Sequence, residues 1–402
     1  MARTVFSGAK VFDGTGADPY PADVVIEDER IVAVGPAGAV DADAAVDVGG
    51  KTLLPGFFDT HVHVTVSTPD IWAFAQQPFS YQFFDAARNL RNTLATGITT
   101  VRDAGGADLG VRKAVEDGLI EGSRMQISLT MLSQTGGHGD GWLPLGESFR
   151  LTHPGVPDAI VDGPEEMRRK VRELHRMGAD VVKVATSGGV LSMTDDPRHA
   201  HFRPDELEML VAEAAAAGMF VMAHAQGADG IKNAIRAGIR SIEHGIFLDD
   251  EAIEMMLEHG TWLVPTLVAP QGVLDAAAAG APLPPAVLDK ARSVVDIHKD
   301  AFRRAVEAGV RIAMGTDSGV VPHGRNLREL ELMVAGGMTA AAALGATTRS
   351  AAELMGLDGE LGTIEPGKLA DLVVLEGDPY DVTGLAERIS AVWKEGRQVV
   401  GA

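Results

Sequence analysis

From residue 57 to residue 317 the chain alternates short apolar runs with longer segments that carry apolar residues at helical spacing. Such alternation predicts a strand followed by a helix, many times over. The strand-like runs are 57–63, 99–103, 125–131, 181–185, 220–224, 241–244, 262–266 and 311–317. Between two of them, Met167, Val171 and Leu174 fall at i, i+4 and i+7 with Gly178 as a stop. Asp205 and Glu206 open another helix after Pro204, and Gly218 ends it. Eight strand-then-helix units in about 300 residues predict a parallel (β/α)8 TIM barrel, which typically runs to ~250 residues before insertions. A doubly wound open sheet would carry a Gly-rich phosphate loop after an early strand. Neither G-x-G-x-x-G nor G-x-x-x-x-G-K-[ST] occurs in the chain.

Both ends have another character. Residues 4–6, 23–26 and 30–35, then 371–375 and 389–393, read as short strands separated by Gly- and Asp-rich turns. Neither end alone holds enough strands for a stable sheet. The expectation is a small β-sandwich built jointly from 1–55 and 358–402, flanking a barrel over 56–357.

Composition narrows the function. Of 402 residues, 46% are hydrophobic and 23% charged, ordinary values for a globular protein. The balance of 35 Lys+Arg against 56 Asp+Glu gives a net charge of −21, which argues against nucleic acid or an anionic membrane surface as a partner. No apolar segment has the length of a membrane span, and the first residues lack the apolar region of a signal peptide, so a cytoplasmic location is expected. Cysteine is absent, which excludes disulfides, thiolate nucleophiles and Cys-ligated metal. Any metal must be held mainly by His and carboxylate.

The predicted strand ends carry such groups. His61 and His63 close the first strand, and residues i and i+2 of a strand point the same way, so both rings can face one ion. Lys183 lies on the fourth strand, His224 on the fifth, His244 on the sixth and Asp317 on the eighth. In a TIM barrel, chemistry gathers at the C-terminal ends of the strands. Lys183 is a poor residue for an apolar strand, because burying an unpaired ammonium is costly. Carboxylated by CO2, its amine would become a two-oxygen anion able to bridge two divalent ions.

These residues resemble the amidohydrolase superfamily, specifically members with a binuclear centre. The likeness runs from Leu54-Pro55-Gly56-Phe57-Phe58-Asp59-Thr60-His61-Val62-His63 through Lys183, His224, Ile242-Glu243-His244-Gly245 and Gly315-Thr316-Asp317 to the stretch 362–372. The run Lys183-Val184-Ala185-Thr186-Ser187-Gly188-Gly189 and the segment Gly136-Gly137-His138-Gly139 are similar to the imidazolonepropionase-like branch. That branch includes Xaa-Pro dipeptidases, N-acyl amino acid hydrolases and ochratoxin-type amidases. The resemblance implies that His61, His63 and Asp317 bind a buried metal, that His224 and His244 bind an exposed one, and that carboxylated Lys183 bridges them. Zinc is the expected ion. It further implies a metal-bridging hydroxide as nucleophile, Asp317 as the base and then the acid, and His138 assisting at the scissile carbonyl. The implied substrate is a small amide or dipeptide, and a homo-oligomer is the implied assembly.

Gln226, His323 and Arg325 follow strands five and eight and are candidate substrate contacts, Arg325 as the partner of a carboxylate. The segment 133–163, with Trp142, Pro144, Leu145, Phe149 and Leu151, is expected to build the pocket wall. Asp103 reads equally as a support for a ligand or as a rim hydrogen bond. The second H-x-H, His199-Ala200-His201, lies in a polar loop and reads as a loop feature, while His153, His175, His259 and His298 read as surface residues. One rival function is a mononuclear hydrolase of cyclic or aromatic amides, in which Lys183 is not a bridge. The other is a catalytically silent scaffold, which predicts lost ligands; none is missing.

Overall fold

The computed structural model describes residues 3–36, 38, 42–143, 145–149, 152–192 and 195–401. Five strands precede the repeating region: β1 (Arg3–Val11), β2 (Tyr20–Glu27), β3 (Arg30–Gly35), β4 (Ala44–Asp47) and β5 (Lys51–Pro55). Eight strands follow, interleaved with helices: β6 (Phe57–Val62), β7 (Ile98–Asp103), β8 (Arg124–Ile127), β9 (Met131–Leu132), β10 (Val181–Ala185), β11 (Phe220–Ala225), β12 (Ser241–His244) and β13 (Trp262–Val264). Three close the chain: β14 (Leu372–Glu376), β15 (Ile389–Lys394) and β16 (Arg397–Val400).

The two ends meet in one eight-stranded sheet of order β16-β15-β14-β5-β1-β2-β3, with β4 also on β1. Strand β1 serves two neighbours on one edge, β4 through Thr4–Ser7 and β5 through Lys10 and Val11. Between these two stretches Gly8 takes φ 80°, and the pairing of β1 with β2 shifts register from Phe6 to Ala9. The bend lets the sheet curve around its own core of Phe6, Val24, Ile26, Leu53, Leu372, Val374 and Trp393.

The middle of the chain is a mixed α/β fold of the TIM-barrel type. All its ladders are parallel, in the orders β6-β7-β8 and β9-β10-β11-β12-β13. The expected third strand, 125–131, is two strands instead of one. Leu129, between them, has φ 68°, a left-handed conformation that no continuous strand accommodates. Among the described residues the expected eighth strand, 311–317, pairs through one isolated bridge, Leu263 with Ile312, and Val62 bridges Ser318 just past its end. It nonetheless lies between β13 and β6: Leu263 N donates to Arg311 O, and Thr60 N donates to Met314 O.

Helices bury the faces that the apolar spacing marked. Pro164–Arg176 starts on a proline with Glu165 and Glu166 in its first turn, ends with His175 and Arg176, and buries Met167, Val171 and Leu174. In Pro204–Ala216 the Glu206 carboxylate accepts the Arg203 N–H at 2.6 Å, while Leu207, Leu210 and Ala214 face inward. Each such Leu or Val removed from water contributes roughly 1.5–3 kcal/mol, which fixes the helices against the strands and so fixes the strand ends. The longest helix, Pro285–Ala308, lies beside Val268–Ala278 and reaches the same end of the fold.

Candidate metal centre

Strand β6 delivers His61, 1% exposed, and His63 follows just past its end. Their rings lie 5.6 Å apart, as expected for residues on one side of a strand. Strand β10 brings Lys183 to the same point, with Nζ 3.4 Å from His61 Nε2. Asp317 Oδ1 is 3.3 Å from His63 Nε2 and 3.6 Å from His61 Nε2. The His244 ring lies 5.1 Å from that of His61 and 4.7 Å from that of His224. All six candidate ligands therefore border one cavity of about 240 Å³. One atom each from His61, His244 and Asp317 lies within 4.8 Å of the others, a spacing that suits a metal ion.

Backbone strain marks the same place. His244, Thr266 and Asp317 have φ of 73°, 51° and 60°, conformations that cost a non-glycine residue on the order of 1–3 kcal/mol each. The turn at His244 breaks strand alternation, so Glu243 and His244 both face the centre. Glu243 Oε2 accepts from His61 Nδ1 at 2.7 Å, and Oε1 accepts from Arg102 at 3.0 Å and Ser241 at 2.6 Å. Arg102 also donates to Thr60 O, which ties β7 to β6. His61 thus keeps its proton on Nδ1 and turns its Nε2 lone pair toward Lys183 and Asp317. His244 is held likewise by Thr266 Oγ1 at 2.7 Å, and His63 Nδ1 bonds Gly105 O at 2.8 Å. A ring nitrogen fixed in this way is the usual support of a metal-binding histidine.

Electrostatics suits a cation. Burial lowers the His61 pKa to about 4 and holds those of His224 and His244 well below the usual value, so these rings are neutral donors of lone pairs. Burial alone would raise the Asp317 pKa, but the hydrogen bond from His63, whose own pKa is raised beside this carboxylate, outweighs it, and the carboxyl stays ionised. Burial works against Glu243 too, yet the Arg102 charge and the His61 hydrogen bond bring its pKa to about 2. Lys183, 1% exposed, is pushed down to about 8 by burial. Three neutral imidazoles, an ionised carboxylate and an amine that deprotonates easily form a donor set that fits a divalent ion.

The other expected residues divide. His138 borders the cavity and stacks on His224 with centroids 4.2 Å apart. Gln226 borders it as well, and its buried Oε1 has no hydrogen-bond partner among the described residues. His323 does not: it is buried beneath the site, with Nε2 3.2 Å from His63 O and Nδ1 3.3 Å from Thr93 Oγ1. Arg325 is exposed and lines a separate cavity of about 350 Å³ with Thr68, Val321 and Leu332. Asp103 accepts from the backbone of Val64, Gly105 and Ala107 and so fixes the turn that holds His63.

Two expectations need correction. His298 is no surface residue: it is 2% exposed, bonds His244 O at 2.9 Å and borders the cavity. The second H-x-H does lie in a loop, with His201 buried and His199 exposed. The segment 133–163 gives the cavity only His138 among the described residues; Trp142 and Leu145 are exposed, and Pro144 and Leu151 lie outside those residues. The apolar wall comes instead from Leu191, Ile246, Ala269, Pro270, Val273 and Val320. Glu243, Arg102, Asp195 and Lys290 had no assigned part in the sequence reading. A charged pair such as Arg102 and Glu243 inside two apolar strands was the available signal, by the argument that drew attention to Lys183.

The amidohydrolase family model matches residues 52–400. Ochratoxinase of Aspergillus niger is 34% identical over 99% of this chain and 87% of its own. A Xaa-Pro dipeptidase structure with methionine in its active site superposes with a TM-score of 0.91 at 34% identity, over all of both chains. A prolidase complexed with N-methylphosphonate-L-proline gives 0.90 at 36% identity, again over all of both chains. With its metal-type donors gathered at the strand ends and its fold shared from end to end, the chain belongs to the amidohydrolase family.

Proposed function

We propose that the protein is a binuclear, zinc-dependent hydrolase that cleaves the C–N bond of a small amide, a dipeptide such as Xaa-Pro or an N-acyl amino acid. The observation that carries this reading is the convergence of His61, His63, Lys183, His224, His244 and Asp317 on one cavity. In the proposed arrangement His61, His63 and Asp317 would hold one ion and His224 and His244 the other, with carboxylated Lys183 available to both. Two bound ions supply an activated water near neutral pH. Asp317, ionised and beside His63, takes the proton of that water and returns it to the leaving nitrogen. His138 and Gln226 contact the substrate, and the apolar wall excludes water from the reacting carbonyl. His323 acts beneath the site through His63, and Arg325 stays outside the cavity of the reaction.

The proposal extends to the whole molecule: a closed (β/α)8 barrel over 56–357, a β-sandwich formed from 1–55 and 358–402, and a cytoplasmic homo-oligomer. A second reading, an amidase for a larger aromatic acyl group, is supported by the apolar wall and by the likeness to ochratoxinase.

The test is metal stoichiometry joined to a substrate screen. Zinc-loaded protein should bind two ions per chain, and Lys183→Ala should lower that number and abolish turnover. One ion, unaffected by Lys183→Ala, refutes the binuclear reading. Inactivity on all dipeptides and N-acyl amino acids, with turnover of aryl amides, selects the second reading.

A further inference from the structure

The His138 ring is held on every side but one. One face stacks on His224, with 16° between the planes. The other lies against Gly189, where an added Cβ would come within 2.2 Å of the ring Cε1. At its edge, Nδ1 is 2.9 Å from Asp195 Oδ2, and the Asp195 side chain is 3% exposed. Asp195 is itself anchored by Lys290 of the helix Pro285–Ala308, whose Nζ lies 3.4 Å from Oδ1 and 2.5 Å from the Asp195 carbonyl. The same ammonium bonds Gly189 O at 3.1 Å and Ser192 O at 3.0 Å, so one cation gathers both ends of the loop that encloses the ring.

An ionised carboxylate only accepts hydrogen bonds, so the proton shared by this pair sits on Nδ1. In the neutral ring Nε2 then carries a lone pair, and it has no protein partner among the described residues of the cavity wall. A neutral imidazole in this state cannot donate to a scissile carbonyl; it can accept. We infer that Asp195 is a positioning residue that fixes the tautomer of His138, so that Nε2 accepts an N–H of the bound substrate. The inference rests on the proposed reading that an amide occupies the cavity. Two sources offer that N–H, the α-ammonium of a free dipeptide or the amide N–H of an N-acyl amino acid.

The tautomer is read without substrate or metal, from long-range proton–nitrogen correlations of metal-free protein labelled at histidine. His138 should show the Nδ1–H form, and Asp195→Asn, whose amide donates toward Nδ1, should convert it to Nε2–H. Lys290→Met, which releases the loop without altering the Asp195 carboxylate, should give a mixture. An unchanged tautomer in both variants, or a ring protonated on both nitrogens in the wild type at neutral pH, overturns the inference. In the zinc-loaded enzyme, Asp195→Asn should lower kcat/KM roughly 10-fold or more, the scale expected when a site built for a hydrogen bond loses it. The penalty should nearly vanish in a His138→Ala background. A penalty confined to free dipeptides assigns the N–H to the α-ammonium, and one confined to N-acyl amino acids assigns it to the amide. A penalty on neither, or one that persists without His138, refutes the assignment. Should the protein hydrolyse no amide at all, the proposed function fails, while the tautomer measurement still decides the role of Asp195.

Discussion

Replacing Glu243 with Gln removes one charge and leaves the shape of the side chain almost unchanged. Three donors converge on that carboxylate: His61 on Oε2, Arg102 and Ser241 on Oε1. An amide has one accepting oxygen, so it cannot serve both sides. Keeping the oxygen toward Arg102 turns the NH2 toward His61 Nδ1. The imidazole must then carry its proton on Nε2, the atom that faces Lys183 and Asp317, and its lone pair is lost to a metal. Arg102, 2% exposed, also loses its counter-charge. Breaking a buried pair in this way costs about 3–5 kcal/mol, and losing the support of a metal-binding histidine costs about 10- to 100-fold in metal affinity. A drop of the Glu243 pKa from 4.5 to about 2 corresponds to a few kcal/mol, on the order of the same size. Urea unfolding of chelated protein would read the first effect, and zinc competition against a chromogenic chelator the second. Wild-type stability together with wild-type zinc affinity would refute the argument.

Gly189→Ala should drive a methyl into the face of the His138 ring opposite His224 and so displace the ring sideways, lowering kcat about 10-fold or more; steady-state kinetics beside metal analysis would read this. Glu329, fully buried, has its pKa raised by burial to about 8, so the folded state binds this proton more tightly than the unfolded one. Its contribution is therefore complete below about pH 4.5 and is lost as pH rises through 8, with a slope of up to about 1.4 kcal/mol per pH unit that Glu329→Gln should remove from urea unfolding curves. Chelation should lower the unfolding temperature, and zinc at 100 times its dissociation constant should restore about 2.7 kcal/mol; a melting curve insensitive to zinc would count against the metal centre.

What the sequence made legible is what depends on period and position. His61 and His63 share a face because strands alternate, and Lys183, His224, His244 and Asp317 stand out as polar residues where apolar runs stop. What stayed hidden depends on departures from period. Glu243 and His244 are neighbours that ought to point apart, and only the left-handed turn at His244 brings both to the centre. Leu129 divides an apolar run that reads as one strand. Asp195 and Lys290 are 95 residues apart, and nothing local distinguishes Lys290 from any exposed lysine of an amphipathic helix. The pocket wall was misplaced for a related reason. Aromatic residues in 133–163 suggested burial, but Val268–Ala278, modest in composition, passes nearer the cavity.

The sheet shared by the two ends has a consequence for the order in which the molecule is made. Strand β5 pairs with β14 from Pro55–Leu372 to Lys51–Glu376, and Gly56 N donates to Asp371 O at 2.7 Å, five residues before His61. A growing chain therefore exposes this edge of β5 until Leu372–Glu376 have been synthesised. Strand β14 arrives as the missing neighbour of the strand that leads into His61. A premature stop in that stretch would leave every candidate ligand encoded and the strand that carries the first two without its anchor.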